Sequence, residues 1–165
     1  MRLKYFFISL CVLIMMGAWG CGPRVPRAIV QKVTWEGDFR TLQVDTDQYI
    51  DEYVIFGGRI IGTDNQRDNS EITVLQFPLD SSNRPQMEKE SNGRFLIRSE
   101  SFLDPEIYAP GKLVTAAGRL IGAETRLIGD YEYAHPIIKG DLWVWEPREN
   151  SFPRFHFGLG IGKTF

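Results

Sequence analysis

Two five-residue segments sixty positions apart share one pattern of glycines and branched side chains. They are Gly58-Arg59-Ile60-Ile61-Gly62 and Gly118-Arg119-Leu120-Ile121-Gly122. Branched apolar residues favour strands, and a glycine inside a strand marks a bulge or a sharp bend. Two copies are too few for a repeat protein. The pattern therefore predicts two equivalent strands, each bent at a glycine where a small sheet curls.

The chain from residue 53 onward has further strand patterning. Alternation predicts strands over residues 53–62, 71–77, 94–98 and 112–121, with one or two more within 127–134 and 141–145. Asp104-Pro105 predicts a one- or two-turn helix between the third and fourth strands. Residues 45–52 fit either a short helix or a polar loop. Because this is the element order of an OB-like barrel, we predict an all-β fold with a short helix, a small OB-like antiparallel barrel.

The first 20 residues differ in composition from the rest of the chain. Arg2 and Lys4 precede an apolar run from Tyr5 to Trp19, which is the architecture of a signal peptide. The run is shorter than the ~20 residues that a transmembrane helix needs, and no basic stop-transfer cluster follows it directly. We therefore predict a cleaved signal peptide over residues 1–20 rather than a membrane-spanning anchor.

The cysteine after the apolar run indicates the kind of signal. Gly20-Cys21 resembles the bacterial lipobox, in which the thiol is diacylated and the cysteine becomes the new N-terminus, although Ala18 and Trp19 are not its usual residues. The alternative is an ordinary secretory signal with a chance cysteine, but its A-x-A-like cleavage site is absent. The lipobox resemblance implies a diacylglycerol and an N-acyl lipid such as palmitate on Cys21, with no other cofactor. Since Gly22 rather than Asp follows, it also implies export to the outer membrane.

Charge and cysteine content exclude several classes of function. The chain has 165 residues, two cysteines, 19 basic and 21 acidic side chains and a formal charge of −2, which suits a single domain. Cleavage after residue 20 would discard Cys11, Arg2 and Lys4, so that Cys21 alone remains and the mature chain becomes more acidic. That composition leaves no disulfide or cysteine nucleophile. It also lacks the basic excess that nucleic-acid binding requires.

We divide the chain into four parts. These are the signal peptide (1–20), a lipidated N-terminus and proline-rich tether (21–42), a barrel domain (43–147) and an aromatic, glycine-rich C-terminal tail (148–165). In the tail, apolar residues from Phe155 to Ile161 alternate with small or polar ones, which is the pattern of a strand with one apolar face. The tail fits a strand packed on the domain, a contact with the bilayer, or a segment that docks on an envelope protein partner.

Motifs for catalysis or metal binding are weak in this sequence. His135 and His156 are the two histidines, which is a poor ligand set for zinc. The oxygen-rich residues 64–71 lack EF-hand spacing, so a hairpin turn is favoured over a calcium loop. Gly158–Thr164 lacks the first glycine of a phosphate loop, and no serine stands in a nucleophile motif. We therefore predict that the protein is not an enzyme and binds no metal.

Two pairs of charged residues allow both a functional and a structural interpretation. Arg94 and Arg98 share one strand face with Leu96 and would suit an anion, although simple alternation favours a solvent-facing barrel rim. Asp80 and Asp104 stand beside proline-containing turns. We interpret both aspartates as turn and cap residues rather than as a general acid and base.

Aromatic residues near the end of the predicted barrel are candidates for ligand binding. Tyr133, Trp143 and Trp145 would be the groups that stack on a small molecule or glycan. Core packing is the favoured interpretation, because alternating aromatic residues at a strand end usually fill a core.

Several blocks of the sequence resemble the Slp family of outer-membrane lipoproteins. They are Gln76–Asp80, Gly93–Leu96 and Ser101–Pro105, in that order, within a resemblance over about residues 43–147. The chain departs from the family at Glu100 and Ser101, where glycine is common, and in its shorter tail. The resemblance implies a lipoprotein of a Gram-negative outer membrane, held in the periplasmic leaflet, of a family known for induction by starvation. It assigns no catalytic residue.

These observations together lead to one expected function and one alternative. We expect a lipid-anchored, non-enzymatic envelope protein with a structural or stress-adaptation role, which acts by binding a partner. The alternative is a periplasm-facing module that binds a small molecule or glycan. A pocket above roughly 300 Å³ lined by the three aromatic candidates would favour the ligand, whereas a filled barrel would favour a protein partner.

Overall fold

A computed structural model describes residues 25–146, which form mostly strands. The strands are β1 (Tyr53–Asn65), β2 (Ser70–Phe77), β3 (Gly93–Ser99), β4 (Leu113–Ile128) and β5 (Tyr131–Trp145). Before them come helix α1 (Arg27–Val30), helix α2 (Phe39–Val44) and a 3-10 helix (Thr46–Tyr49). None of the helices between residues 25 and 146 is long and apolar enough to cross a membrane.

The five strands close into one ring in the order β1-β2-β3-β5-β4, with β4 paired back to β1. Neighbouring strands are antiparallel except for β3 and β5, which run parallel where residues 96–98 face residues 137–139. The mostly-β ring confirms the predicted fold class, and its five strands fit the OB-like architecture. The predicted strands over residues 53–62, 71–77 and 94–98 are confirmed as parts of β1, β2 and β3.

Apolar side chains from every strand fill the inside of the ring. Phe39 of α2 joins them, edge-on to Phe56 with ring centroids 5.1 Å apart and 6.0 Å from the ring of Phe95. Asp38 is the N-cap of α2, and its carboxylate accepts a hydrogen bond from the N–H of Arg40 at 3.2 Å. Because Phe39 and Leu42 are three residues apart, they lie on one helix face and both are buried.

Ordered structure begins well before residue 43, where the sequence predicted the barrel domain to start. Val25 is fully buried. The N–H groups of Thr34 and Trp35 donate to the carbonyl of Tyr53, at 2.9 and 3.4 Å. Residues 25–42 therefore pack against the strands, although the tether was predicted to include them. The prolines Pro23 and Pro26 and the basic residues Arg24 and Arg27 at the start of this part of the chain led to the prediction of an extended tether.

The helix predicted between the third and fourth strands is wrong. Residues 100–112 are all described and contain turns but no helix. Asp104 does start a turn, since its carboxylate accepts from the N–H of Glu106 at 2.9 Å and its carbonyl accepts from Tyr108 at 2.9 Å. Pro110 then stops the turn, because proline has no N–H and excludes its predecessor from helical geometry.

Two of the predicted strand boundaries are also wrong. The strand predicted to end at Gly122 continues to Ile128, and the one predicted over 127–134 spans the turn at Gly129-Asp130. Residues 131–145 form one continuous strand, β5. Both strands are long because each pairs along its whole length with the other, which local sequence patterning does not reveal.

The aspartates interpreted as turn residues have that role. The Oδ1 atom of Asp80 accepts hydrogen bonds from the backbone of Ser82 at 2.8 Å and of Arg84 at 3.0 Å. Asp104 holds the turn described above. The 64–71 segment is likewise a hairpin turn, in which Gln66 donates to the carbonyl of Asn69 at 2.8 Å. These three predictions are confirmed.

The two similar glycine-flanked segments bend the barrel at equivalent places. The pairing register shifts by one residue between Ile60 and Gly62 of β1, and again between Leu120 and Gly122 of β4. Each shift is a β-bulge, which sharpens the local bend and twist. Gly122 has a φ of +132°, a conformation that favours glycine. Beyond it, residues 122–136 form a two-stranded hairpin that we call the β4–β5 extension.

Gly118 and Gly140 lie opposite each other at a close approach of β4 and β5. A Cβ atom on Gly118 would lie 2.2 Å from the carbonyl oxygen of Lys139 and 2.6 Å from the Cα atom of Gly140. Only a residue without a side chain fits between two strands at this separation. The sharp bend predicted from the glycines therefore depends on the close contact between the backbones of β4 and β5.

The close approach predicts that Gly118→Ala destabilises the fold. The added methyl group meets backbone atoms that cannot rotate away, so the free energy of unfolding should fall by about 1–3 kcal/mol. Urea denaturation followed by tryptophan fluorescence measures the change. Gly62→Ala, in the companion segment, is the matched control: its Cβ meets no heavy atom within 4 Å. Equal losses in the two variants would contradict the packing account.

Candidate functional site

A groove of about 640 Å³ lies on the outside of the barrel, between α2 and the end of the β4–β5 extension. We call it the outer groove. Leu75 and Arg94 line it and pair directly across β2 and β3. Their neighbours Val74 and Phe95 are in the core, so alternation directs Leu75 and Arg94 outward. The other lining residues are Arg40, Gln43 and Val44 of α2, Ser91, Asn92 and Gly93, and Ile128, Tyr131 and Tyr133 of the extension.

Helix α2, strand β3 and the extension meet at one side of the outer groove. The side-chain amide of Gln43 donates to the carbonyl of Ala134 at 2.7 Å, which ties α2 to β5. Gly93 lies at the same place with a φ of +142°. A Cβ atom there would lie 2.6 Å from the hydroxyl of Tyr133 and 2.8 Å from Oε1 of Gln43. The three elements are therefore closely packed, and the groove is formed by the fold itself.

The lining of the outer groove carries two arginines and no carboxylate. Between residues 25 and 146, neither Arg40 nor Arg94 takes part in a salt bridge. Val44 and Tyr131 are each 80% exposed. The groove thus combines accessible apolar carbon with positive charge.

A second groove, of about 630 Å³, has a different charge pattern. Among its lining residues, Lys139 pairs with Glu100 at 2.5 Å. Arg119 also lines it and lies 3.7 Å from the carboxylate of Asp51. Because carboxylates of the same chain balance its cations, this groove offers less attraction for an anion than the outer groove.

Arg94 and Arg98 share the outer face of β3, as predicted, but they have different surroundings. Arg98 contacts Glu71 at 2.8 Å and Glu124 at 3.1 Å. Arg126 contacts the same two carboxylates, at 2.6 and 2.9 Å. We call these four residues the ion cluster. It joins the extension to β2 and β3, so the charge of Arg98 is already paired whereas Arg94 lines the groove.

His135 is buried behind the outer groove and does not line it. Its Nδ1 atom lies 2.8 Å from the carbonyl oxygen of Tyr133, and the two rings meet edge-on at 5.3 Å. Burial lowers the pKa of His135, and the charges of Arg126 and Arg94 lower it further. The imidazole is therefore neutral at neutral pH. Among residues 25–146 no three His, Cys, Asp or Glu side chains are grouped as metal ligands; His156 lies outside this range.

The three aromatic candidates do not form one site. Tyr133 lines the outer groove, whereas Trp143 and Trp145 lie near the other end of β5 and are not among the lining residues. Trp145 is buried, its indole N–H donates to Thr115 Oγ1 at 2.9 Å, and the guanidinium of Arg84 lies 5.4 Å from its ring centroid. Trp145 therefore packs within the fold, and the barrel interior is filled by side chains.

Most residues of the outer groove were missed by sequence reasoning. Arg40, Gln43 and Val44 lie on α2, a helix that was not predicted and that crosses the predicted boundary between tether and barrel domain at residue 43. A signal was present, because Asp38 is a good N-cap and is followed by Phe39 and Leu42 at helical spacing. The predicted lipidation site, Cys21, and the C-terminal tail (148–165) lie outside the described residues.

The described residues form one small five-stranded barrel, and the sequence before them resembles a signal peptide that ends in a lipobox. A family model described as the outer membrane lipoprotein Slp family matches residues 19–158. The chain belongs to this family of outer membrane lipoproteins, and the resemblance found in the sequence is confirmed. The matched residues include Cys21. Outer-membrane localisation in a Gram-negative bacterium follows from the family.

Three relatives come from Gram-negative bacteria. An uncharacterized protein of Haemophilus influenzae is 27% identical over 147 residues, which cover 87% of this chain and 76% of that protein. The uncharacterized lipoprotein YeaY of Escherichia coli K12 is 32% identical over 91 residues, 55% of this chain and 47% of YeaY. Outer membrane protein Slp of the same organism is 31% identical over 117 residues, 68% of this chain and 61% of Slp. The chain thus spans less than two thirds of both Escherichia coli relatives.

Among solved structures, Schizosaccharomyces pombe Pot1pC bound to single-stranded DNA has 13% identity and a TM-score of 0.34 to this chain. The match covers 61% of this chain and 84% of that one. A likeness at this level says nothing about function.

The ion cluster predicts that Glu71→Gln weakens the fold. Glu71 is almost completely buried and serves two arginines that are about one-third exposed, so its loss should cost roughly 2–3 kcal/mol of unfolding free energy. Urea denaturation measures this. Glu100→Gln is the control, because its pair with Lys139 is exposed and should contribute nothing measurable. A Glu71 variant as stable as the control would contradict the role of the cluster.

The same cluster predicts a loss of stability in acid. A hydrogen bond from Arg126 holds the pKa of Glu124 below its ordinary value of 4.5. The pairing therefore stabilises the fold above about pH 4.5 and is lost as the pH falls through the lower pKa of the folded state. Melting temperatures measured from pH 6 downward should fall less steeply for Glu124→Gln than for the unchanged protein. Parallel pH profiles would show that Glu124 does not contribute.

Proposed function

We propose that this protein is a lipid-anchored outer membrane lipoprotein that acts by binding and has no catalytic activity, with the outer groove as its binding surface. Its role in the envelope would be structural or part of stress adaptation. The outer groove is the observation that carries the proposal, because it joins exposed apolar side chains and two arginines on a preformed concave surface.

Anchoring through a diacylglycerol and an N-acyl chain on Cys21 is part of this proposal. The lipobox resemblance and the family support it. Because Val25 is fully buried, only residues 22–24 lie between Cys21 and the folded body. Four residue steps reach at most about 14 Å. The barrel would then lie against the periplasmic leaflet, closer than a tether extending to residue 42 would hold it.

The arrangement of titratable groups supports binding over catalysis. Glu71 and Glu124 are both engaged by two arginines, at distances of 2.6 to 3.1 Å. His135 is buried with its Nδ1 atom against a backbone carbonyl. None of the three lines the outer groove. General acid or base catalysis would need such a group within hydrogen-bonding reach of a substrate.

Filling of the barrel interior favours a partner on the outer surface over a ligand held inside the barrel. Trp143 and Trp145 are separated from Tyr133, so the predicted stacking platform for a glycan would have to use Tyr133 alone. The C-terminal tail remains a second candidate for contact with an envelope protein. Its pattern of alternating apolar residues supports this part of the prediction.

The proposed lipid anchor on Cys21 predicts where the mature N-terminus lies and which acyl groups it carries. Mass spectrometry of the mature protein should find cleavage before Cys21 and a triacylated cysteine. Cys21→Ser should abolish the acyl mass and the fractionation with outer membranes. A soluble, unacylated protein before the substitution would contradict the anchor.

Photo-crosslinking in cells tests the groove. Benzoylphenylalanine at Val44, on the groove, should give an adduct. The same residue at Phe102 is the matched control, because Phe102 is 72% exposed but does not line the groove. Absence of any adduct specific to position 44 would show that the groove binds nothing in the cell.

A further inference from the structure

We infer that the outer groove binds one anionic phospholipid of the bilayer. Arg40 and Arg94 would contact its head group, and the apolar side chains of the groove would lie along its acyl chain. The inference rests on the proposed function, since it names the occupant of the same groove. Three features support it: the charge of the lining, its apolar surface and the short attachment of the folded body to the proposed lipid anchor.

The first feature is the charge of the lining. Two guanidinium groups and no carboxylate line the groove, and between residues 25 and 146 no salt bridge involves either arginine. The two other described arginines of this region, Arg98 and Arg126, are paired within the ion cluster. Guanidinium groups bind phosphate oxygens through two parallel hydrogen bonds. The lining is therefore complementary to an anionic phosphate head group.

The second feature is the apolar surface beside the arginines. Leu75, Val44 and Ile128 present aliphatic carbon to the groove, and Tyr131 and Tyr133 add rings with polar hydroxyl groups. Tyrosine suits a boundary between apolar and aqueous surroundings. The volume of about 640 Å³ falls within the ~300–1,000 Å³ of sites for small ligands. The groove therefore offers a lipid an apolar surface and a cavity of small-ligand size beside the two arginines.

The third feature is that the folded body is attached close to the bilayer. With Cys21 acylated as proposed and Val25 buried, the N-terminal edge of the body lies within about 14 Å of the anchor. The bilayer is then the nearest source of molecules that carry both an acyl chain and an anionic head. Anionic lipids attract each basic residue near their surface by about 1 kcal/mol. We therefore name a bilayer phospholipid as the occupant rather than a free anion.

The experiment uses the full-length, acylated protein reconstituted into phosphatidylcholine vesicles, with or without phosphatidylglycerol. Benzoylphenylalanine at position 44 is photolysed, and intact mass gives the yield of lipid adduct. We expect the yield to rise about tenfold when phosphatidylglycerol is present. Combined Arg40→Gln and Arg94→Gln substitutions should remove that rise. Their melting temperature should match the unchanged protein, because neither arginine forms a salt bridge among residues 25–146.

Benzoylphenylalanine at position 102 reports general proximity to the bilayer and should show no comparable dependence on phosphatidylglycerol. A lipid-adduct yield at position 44 that changes neither with phosphatidylglycerol nor with the arginine substitutions would overturn the inference. So would an adduct to residues 147–165 of the same chain. An adduct to an envelope protein in cells, without lipid adducts in vesicles, would overturn the lipid inference and leave the binding groove standing. No groove-specific adduct in either setting would refute both.

Discussion

The close approach of β4 and β5 at Gly118 and Gly140 is the constraint on which the rest of the structure depends. Five strands can form a closed ring only if they coil strongly, and strong coiling brings backbone atoms of neighbouring strands into contact. Side chains at these two positions would hold the strands apart. Once the ring has closed, the bulge beside Gly122 turns β4 away from β1 while its pairing with β5 continues. The extension produced in this way forms one side of the outer groove, so the groove is a consequence of how the barrel closes.

Charge distribution then separates the structural part of the outer surface from the part available for binding. Arg94 and Arg98 are two positions apart on one face of β3 and look equivalent in the sequence. The extension brings Glu124 and Arg126 to Arg98 and Glu71, which completes the ion cluster. Further along, the extension and α2 leave Arg94 in a groove that carries no carboxylate. One arginine therefore stabilises the fold, and the other gives the groove its positive charge.

Local sequence patterns predicted the first three strands, the turns at Asp80 and Asp104 and the glycine bends, because each depends on neighbouring residues. One prediction failed for a local reason, because Pro110 ends as a turn the segment that Asp104-Pro105 starts. The other incorrect predictions failed where distant contacts decide. In α2 only Phe39 and Leu42 mark an apolar helix face, and this pattern was too short to predict a helix. Tertiary packing of Phe39 against Phe56 and Phe95 stabilises it. Of the three aromatic candidates Tyr133 alone lines the groove, and of the two arginine candidates Arg94 alone does.

The sequence by itself determined the family, the mostly-β class and the places where the sheet bends. Those properties depend on short stretches of residues, on apolar–polar alternation and on single glycines, whose effect on local structure does not depend on the rest of the fold. The tertiary structure alone decided which charged and aromatic residues share a surface. Arg40 and Arg94 are 54 positions apart in the chain and become neighbours in one groove only because α2 packs on the barrel and the extension passes over the outer face of β2 and β3.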